Sequence, residues 1–302
     1  MRNRSWKIKE NYMGHFFVFP ALIYMLVFIG YPIINNFILS FQDVNVMTLA
    51  NDSKQFVGLA NYMELFKEKD SVLLLSLRNS LIYTVASITF QFVIGFSLAL
   101  LFVKKFKLAQ TLRGLVMISW LIPVTITALL FKFMFSVNGG IINEILLFFH
   151  FIDKPIEWLL QPASAMWSLI IANSWIGIPF NMILLTTGLS TIPNDVYESA
   201  NIDGANRSQK FFHITIPLLK PAIASVLILG FIFTFKVFDL VYVMTQGGPV
   251  NATEMLSTFS YKLSFTEFNF SKGAAVANVL FVILFIISLG YLKLIKEEEE
   301  VM

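Results

Sequence analysis

Six long apolar windows constrain the fold of this chain more than any other feature of its sequence. A helix that crosses ~30 Å of hydrocarbon needs roughly 20 apolar residues, and each window is long enough to supply them. The windows cover approximately residues 15–41, 79–103, 112–135, 164–189, 219–244 and 275–295. The sequence therefore predicts an all-α integral membrane protein, with six transmembrane helices in a single domain over residues 1–302.

The composition agrees with a membrane protein and argues against several other classes. Hydrophobic residues make up 57% of the 302 residues and charged residues 14%, whereas soluble domains are about 45–50% apolar. The chain has no cysteine and its three histidines are scattered, so we expect no metal site. Lys and Arg residues are spread over several loops instead of forming one basic face, so nucleic acid is not an expected partner.

The distribution of Lys and Arg near the window ends predicts the orientation in the membrane, because cytoplasmic loops carry an excess of these residues. Basic residues are concentrated before the first window, between the second and third, around residues 190–218, and after the last window. The loops on the opposite side are longer and hold fewer of them. We therefore expect both termini and the 190–218 loop to face the cytoplasm.

The polar loop at residues 194–217 has the features of a short helix followed by a turn. Asn194 and Asp195 are N-cap candidates, and Gly204 permits either a positive φ or a close backbone approach. A helix this short is marginal alone, so it requires packing against its own bundle and a partner. Apolar surface for such packing is supplied by Tyr197, Ala200, Phe211 and Phe212. The alternative is an amphipathic turn at the membrane interface with no partner.

The spacing within this loop resembles the EAA loop of permease subunits of binding-protein-dependent ABC importers. The residues that match are Glu198, Ser199, Ala200, Asp203, Gly204, Ala205 and Pro217. Two positions depart slightly from the family pattern, because Ser199 stands where Ala is usual and Ile216 where Leu is common. The resemblance implies that the 194–217 loop is a cytoplasmic coupling loop, whose short helix docks into a cleft of a separate ATPase.

Other segments extend the resemblance over nearly the whole chain. The stretches at 56–62 and 238–249, together with Gly140, Asn143 and the DGA sequence at 203–205, are similar to sugar permeases of the maltose-permease large-subunit type. This implies a heterodimer with a second permease subunit, two ATPase subunits that hold ATP and Mg, and an extracytoplasmic solute-binding protein. It also implies a location in a bacterial-type inner membrane.

Several polar residues inside the apolar windows are candidates for the solute path, because ionisable groups at membrane depth usually face a cavity or a partner. Lys236 and Asp239 lie three residues apart, which places them on one face of a continuous helix, where each could neutralise the other. Tyr242 lies one turn further and could stack on a sugar ring. Further candidates are Asn173, Asn181, Gln91 and Asn278. Each of these four is equally well explained as an interhelical hydrogen bond.

The sequence therefore predicts one membrane-spanning subunit of an ATP-driven importer, which moves a sugar or oligosaccharide by alternating access. It contains no GxxxxGK[ST] sequence, so we expect no ATPase site, no bound cofactor and no enzymatic activity in this chain itself. One alternative is an ABC permease for another polar solute such as glycerol 3-phosphate, with Lys236 as the cationic group. A second alternative, from a different class, is a self-contained secondary transporter driven by an ion gradient.

Overall fold

The computed structural model describes residues 17–49, 54–67, 71–104 and 106–299, and nearly all of the elements in these ranges are helices. Two-residue strands β1 (Gln42–Asp43) and β2 (Gln55–Phe56) form one antiparallel pair. The helices in chain order are α1 (Phe17–Ser40), α2 (Ala60–Lys67), α3 (Val72–Phe102), α4 (Ala109–Leu121), α5 (Val124–Met134), α6 (Ile141–Phe148), α7 (Pro162–Ser190), α8 (Asn194–Ile202), α9 (Arg207–Phe235), α10 (Asp239–Met244), α11 (Leu256–Tyr261) and α12 (Phe270–Glu299).

Five of these helices, α1, α3, α7, α9 and α12, are long and apolar enough to cross a membrane. The remaining predicted window, 112–135, is a bent pair, in which α4 and α5 meet at an angle of 94°. The bend occurs at Ile122 and Pro123, which both have extended ψ angles of 130° and 137°. Proline disfavours a helical conformation in the residue before it, so one straight helix cannot continue through this point. The prediction of an all-α membrane protein is confirmed.

Several helix boundaries differ from the sequence prediction; α9, for example, begins at Arg207, well before the predicted window at 219. Helix α3 begins seven residues before the predicted window at 79, because Ser71 caps it by accepting a hydrogen bond from the backbone N–H of Leu74 at 3.3 Å. The window 219–244 is not one helix, since α9 ends at Phe235 and α10 begins at Asp239. Lys236 has non-helical angles (φ −88°, ψ 13°), and this break changes the geometry of the predicted charged pair.

The chain divides into two compact units. Among the described residues, the first contains 17–49, 54–67 and 260–278. Within it, Asn61 donates to the carbonyl oxygens of Ser40 and Gln42, at 2.8 and 2.9 Å, and Lys272 forms an ion pair with Glu64 at 2.8 Å. Asn61 lies in the 56–62 stretch that resembles sugar permeases, and its role here is to hold the chain that follows α1.

The second unit contains the described residues 71–104, 106–259 and 279–299. Its centre is the pair α3 and α7, which approach closely at two glycines. A Cβ atom on Gly95 would lie 2.6 Å from the Cβ atom of Asn181, and one on Gly177 would collide with the side chain of Gln91. Side chains larger than hydrogen at these positions would force the helices apart.

Two apolar clusters define the two ends of this unit. At one end, Tyr83 of α3 packs with Leu169 of α7 and Leu240 of α10. At the other end, Ala99 of α3 packs with residues of α7, the turn after it and α9, namely Leu185, Leu189, Ile192, Leu219 and Val226. Helices α3 and α7 therefore run in the same direction, and α9 runs back between the two ends.

Candidate functional site

One side of helix α8 packs against the apolar cluster around Ala99. The Tyr197 hydroxyl lies 2.9 Å from Oγ1 of Thr215, at the start of α9, and its ring packs against the cluster. Ala200 is buried, and the ring of Phe211 lies 6.0 Å from that of Phe96 on α3. These contacts join α8 to the first turns of α9, as expected for a short helix that requires tertiary support.

The turn after α8 requires a left-handed residue, and Gly204 supplies it with φ +77°. The N–H of Ala205 donates to the carbonyl of Ala200 at 2.9 Å, and the N–H of Gly204 donates to that of Asn201 at 3.2 Å. This pair of bonds is the Schellman arrangement that ends many helices. No atom of the described chain beyond the two neighbouring residues lies within 4 Å of a Cβ built on Gly204. Positive φ, not close approach within this chain, is therefore the reason for glycine.

The start of α8 corrects one prediction. The N-cap position is occupied by Pro193, which makes no side-chain cap, and Asn194 and Asp195 lie inside the helix. Asp195 still lies in the first turn, where its carboxylate is favoured by the positive end of the helix dipole. A reciprocal capping box instead forms at the start of α9, where the backbone N–H groups of Asn206 and Gln209 each donate to the other's side chain.

Pro217 of the predicted motif lies just after a π-helical turn, Phe211–Thr215, in the first part of α9. Proline has no N–H to donate to a carbonyl oxygen of the preceding turn. A π-helical turn next to the proline accommodates the resulting gap in the helical hydrogen-bond pattern. The remainder of α9, from Ile216 to Phe235, is largely apolar and follows directly on the segment that α8 contacts.

The side of α8 that faces away from the bundle is exposed and has mixed chemistry. Glu198, Ser199 and Asp203 are exposed polar residues beside it. Ile202 is 87% exposed and Phe212 is 62% exposed. Both values are high for large apolar side chains that lie outside the apolar part of the bundle. We call the surface formed by these five residues the exposed α8 surface. The two large apolar side chains suit the core of a contact with another protein, and the polar residues suit its rim.

A second candidate site is a cavity of about 410 Å³ at the other end of α9, which we call the mixed cavity. Four of the seven candidate pathway residues line it, namely Gln91, Asn173, Lys236 and Asp239. Aromatic rings complete the wall, supplied by Trp120, Phe180, Phe233 and Phe238. The cavity thus combines hydrogen-bond donors, acceptors and ring faces, all within the second unit.

The structure corrects the predicted relation between the two charged residues. Lys236 and Asp239 are not on one face of a continuous helix, because the helix breaks between them, and these two described side chains form no ion pair. The Nζ atom of Lys236 instead lies 5.2 Å from the ring centroid of Phe233, within the range of a cation–π contact. Both charges face the same cavity without neutralising each other directly.

Asn181 and Tyr242 do not line the mixed cavity. Asn181 donates to the carbonyl of Gly177 at 2.9 Å and packs where α3 and α7 approach most closely. The ring of Tyr242 stacks on Phe238 with 5.1 Å between centroids, so it supports a residue of the cavity wall. Asn278, in the first unit, accepts from Asn36 at 2.7 Å and donates to the Tyr62 hydroxyl at 3.1 Å, as expected for an interhelical tie.

Two further polar residues organise loops, and sequence reasoning did not assign their roles. Asn143, from the motif with Gly140, receives the N–H of Ile156 at 3.0 Å and the Trp158 indole N–H at 2.9 Å. Glu254 is buried, accepts from the Thr258 hydroxyl, and lies where a Cβ on Gly247 would collide with its carboxylate. The signal for Glu254 was its position shortly after the GGP turn.

Comparison with known proteins gives consistent results. The family model described as "Binding-protein-dependent transport system inner membrane component" matches residues 91–295. The trehalose/maltose transport system permease protein MalF of Thermococcus litoralis is 34% identical over 95% of each chain. The sulfoquinovosyl glycerol transport system permease protein SmoG of Agrobacterium fabrum is 29% identical, over 93% of this chain and 89% of that one.

The fold is also similar to that of a solved structure. A chain in the crystal structure of a bacterial ABC transporter involved in the import of the acidic polysaccharide alginate aligns with a TM-score of 0.80 and 23% identity, over 98% of this chain and 99% of that one. The family match covers the exposed α8 surface, its attachment to α9 and the mixed cavity. The chain therefore belongs to the family of inner membrane components of binding-protein-dependent transport systems, the permease subunits of ABC importers.

Proposed function

We propose that this chain is a membrane-spanning subunit of an ATP-driven importer for a sugar or oligosaccharide, and that the 194–217 segment couples it to a separate ATPase. The observation that carries the proposal is the path of α9. Its first turns contact Tyr197 of α8, and its last turns supply Phe233 and Thr234 to the mixed cavity. A displacement of α8 would therefore reach the cavity through one helix, which is what alternating access requires.

The exposed α8 surface supports docking of an ATPase. The short helix α8 presents Glu198 and Ile202 to the outside, with Asp203 and Phe212 exposed in the segments that follow it, and it gains stability when a cleft covers the exposed apolar side chains. In this proposal Ala200 and Tyr197 hold the helix to the bundle, while Gly204 ends it sharply. Pro217, beyond the π turn, marks the entry into the membrane.

The mixed cavity supports a saccharide as the transported solute. Aromatic rings stack on sugar faces, and Gln91 and Asn173 offer amide donors and acceptors for hydroxyl groups. Lys236 contributes one positive charge and Asp239 one negative charge, so the two formal charges cancel. This balance favours a neutral sugar over glycerol 3-phosphate, and the trehalose/maltose relative supports the same class.

The proposal includes the remaining partners that the family resemblance implies. They are a second permease subunit in a heterodimer, two ATPase subunits that hold ATP and Mg, and an extracytoplasmic solute-binding protein. The chain would lie in a bacterial-type inner membrane, surrounded by lipid, with both termini in the cytoplasm. It has no P-loop sequence, so ATP hydrolysis falls to the partners and this chain is not an enzyme.

Cysteine crosslinking tests the docking surface directly, because the chain has no native cysteine. An Ile202→Cys variant should crosslink to the ATPase in native membranes. An Ile145→Cys variant, half-exposed on α6, is the matched control and should not crosslink. Crosslinking of the control alone, or of neither variant when the ATPase is shown to co-purify, would contradict docking at α8.

Uptake of labelled solutes in a deletion strain tests the substrate and the energy source. Complementation should restore uptake of maltose, trehalose or another saccharide, but not of glycerol 3-phosphate. Uptake should stop when ATP is depleted and continue when an ionophore collapses ion gradients. Transport that follows the ion gradient instead would support the secondary transporter.

A further inference from the structure

A second cavity, unrelated to the solute path, lies at the turn between α3 and α4. Its volume is about 730 Å³, and we call it the basic cavity because three of its lining residues are Lys104, Lys107 and Arg113. Gln110 adds a neutral donor, and Phe102 and Phe106 form an apolar part of the wall. None of its lining residues lines the mixed cavity.

The positive charge of the basic cavity is not balanced locally. The sequence contains no Asp or Glu between Asp70 and Glu144, so α3, α4, α5 and the turns between them carry only positive formal charges. In the described structure none of the three basic side chains forms an ion pair. A cavity with three uncompensated cations favours an anionic occupant.

Arg113 is held in position while one of its donors lacks a partner. Its Nη2 atom donates to the carbonyl oxygen of Phe102 at 2.8 Å, in the last turn of α3. Its Nε atom is shielded from solvent and has no hydrogen-bond partner within the described chain. Arg113 lines the cavity, and the remaining N–H groups of its guanidinium can donate to an acceptor there.

The surroundings of the basic cavity are apolar, as at a membrane interface. Phe106 is 39% exposed and Leu108 is 61% exposed, and both lie on the short turn that joins two apolar helices. Ala99 packs with Leu189 and Ile192, so the turn lies at the same end of the second unit as α8. Under the proposed orientation, this is the cytoplasmic leaflet, where anionic lipids are concentrated.

We infer that the basic cavity binds the headgroup of an anionic phospholipid. The phosphodiester oxygens accept hydrogen bonds from the two lysines and Arg113, and the acyl chains extend along the exposed apolar side chains of α3 and α4. Free phosphate offers the same acceptors but gains nothing from Phe106 and Leu108. The apolar rim therefore favours lipid as the source of the phosphate group.

Native mass spectrometry of the full transporter from nanodiscs of mixed phosphatidylglycerol and phosphatidylcholine tests this inference. The wild type should retain phosphatidylglycerol preferentially. In a Lys104→Gln/Lys107→Gln double variant, the preference for phosphatidylglycerol over phosphatidylcholine should fall roughly five-fold for each lysine replaced. Both lysines are exposed and their side chains make no hydrogen bond in the described structure, so folding should be unaffected. Lys220→Gln, an exposed lysine on α9, is the matched control and should retain the preference.

Three results would overturn the inference. The first is equal retention of the two lipids by the wild type, and the second is an unchanged preference in the double variant. The third is displacement of phosphatidylglycerol by millimolar inorganic phosphate, which would identify a general phosphate site. If the double variant instead loses the ATPase while its lipid preference is unchanged, the cavity binds protein and the lipid assignment is wrong. None of these outcomes depends on which sugar is transported.

Discussion

Replacement of Gly204 tests whether the turn after α8 needs a left-handed residue. At φ +77°, a residue with a Cβ atom loses about 1–2 kcal/mol relative to glycine, and a β-branched residue is among the least tolerant. Asparagine adopts this conformation far more readily. Because no atom beyond the neighbouring residues lies within 4 Å of the position, crowding inside the described chain does not contribute. Gly204→Val should therefore open the turn, whereas Gly204→Asn should keep it.

Hydrogen exchange of the full chain in nanodiscs measures this effect. The peptide around residues 197–206 contains the Ala205 N–H, whose bond to Ala200 closes the turn. A loss of 1–2 kcal/mol corresponds to exchange that is roughly 5–30-fold faster in Gly204→Val, while Gly204→Asn should stay within about 3-fold of wild type. Equal exchange in the two variants would refute the reasoning from φ. Loss of uptake in both variants, with normal exchange in Gly204→Asn, would show instead that a partner contacts this position.

Three further predictions concern packing and the two sites. Gly95→Ala should destabilise the bundle by about 1–3 kcal/mol in a thermal unfolding assay, because the added methyl group overpacks against α7. Gly114→Ala is the control, since the space around Gly114 is open, and it should be neutral or slightly stabilising in the same assay. Tyr197→Phe removes one hydroxyl hydrogen bond and should weaken the attachment of α8 by about 0.5–1.5 kcal/mol, seen as faster exchange with normal overall stability. Asp239→Asn should reduce solute uptake, because the carboxylate lines the mixed cavity. The variant should shift the midpoint of thermal unfolding by less than about 2–4 °C, since no ion pair is lost. A large loss of stability with normal uptake would contradict the place of Asp239 in the mixed cavity.

The elements that were predictable are those set by local chemistry. A run of about 20 apolar residues has few alternatives to a membrane helix, because lipid cannot satisfy an exposed backbone. The left-handed turn at Gly204 follows from the intrinsic freedom of glycine, and the motif spacing identified the segment that contains it. The bend at Pro123 was not predicted, although the constraint that proline places on the preceding residue accounts for it.

The charged pair shows where sequence reasoning stopped. A spacing of three residues places Lys236 and Asp239 on one helix face only if the helix continues, and apolar composition alone does not reveal that it ends at Phe235. The same limit applied to Asn181 and Tyr242, since hydropathy identifies a polar residue at membrane depth but not the direction in which it points. Gln91 and Asn173 line one cavity because α3 and α7 pack closely at Gly177.

The sequence by itself determined that this chain is a helical membrane protein of the importer family, because hydrophobicity and motif spacing are local properties that survive without coordinates. Only the tertiary structure decided which polar side chains share a cavity, that Tyr197 links α8 to α9, and that three basic residues meet at the α3–α4 turn. The first two of these relations join residues that are separated along the chain, whereas the three basic residues lie between positions 104 and 113 and meet through the fold of the turn. They depend on how the helices pack and where each one breaks, which no single segment encodes.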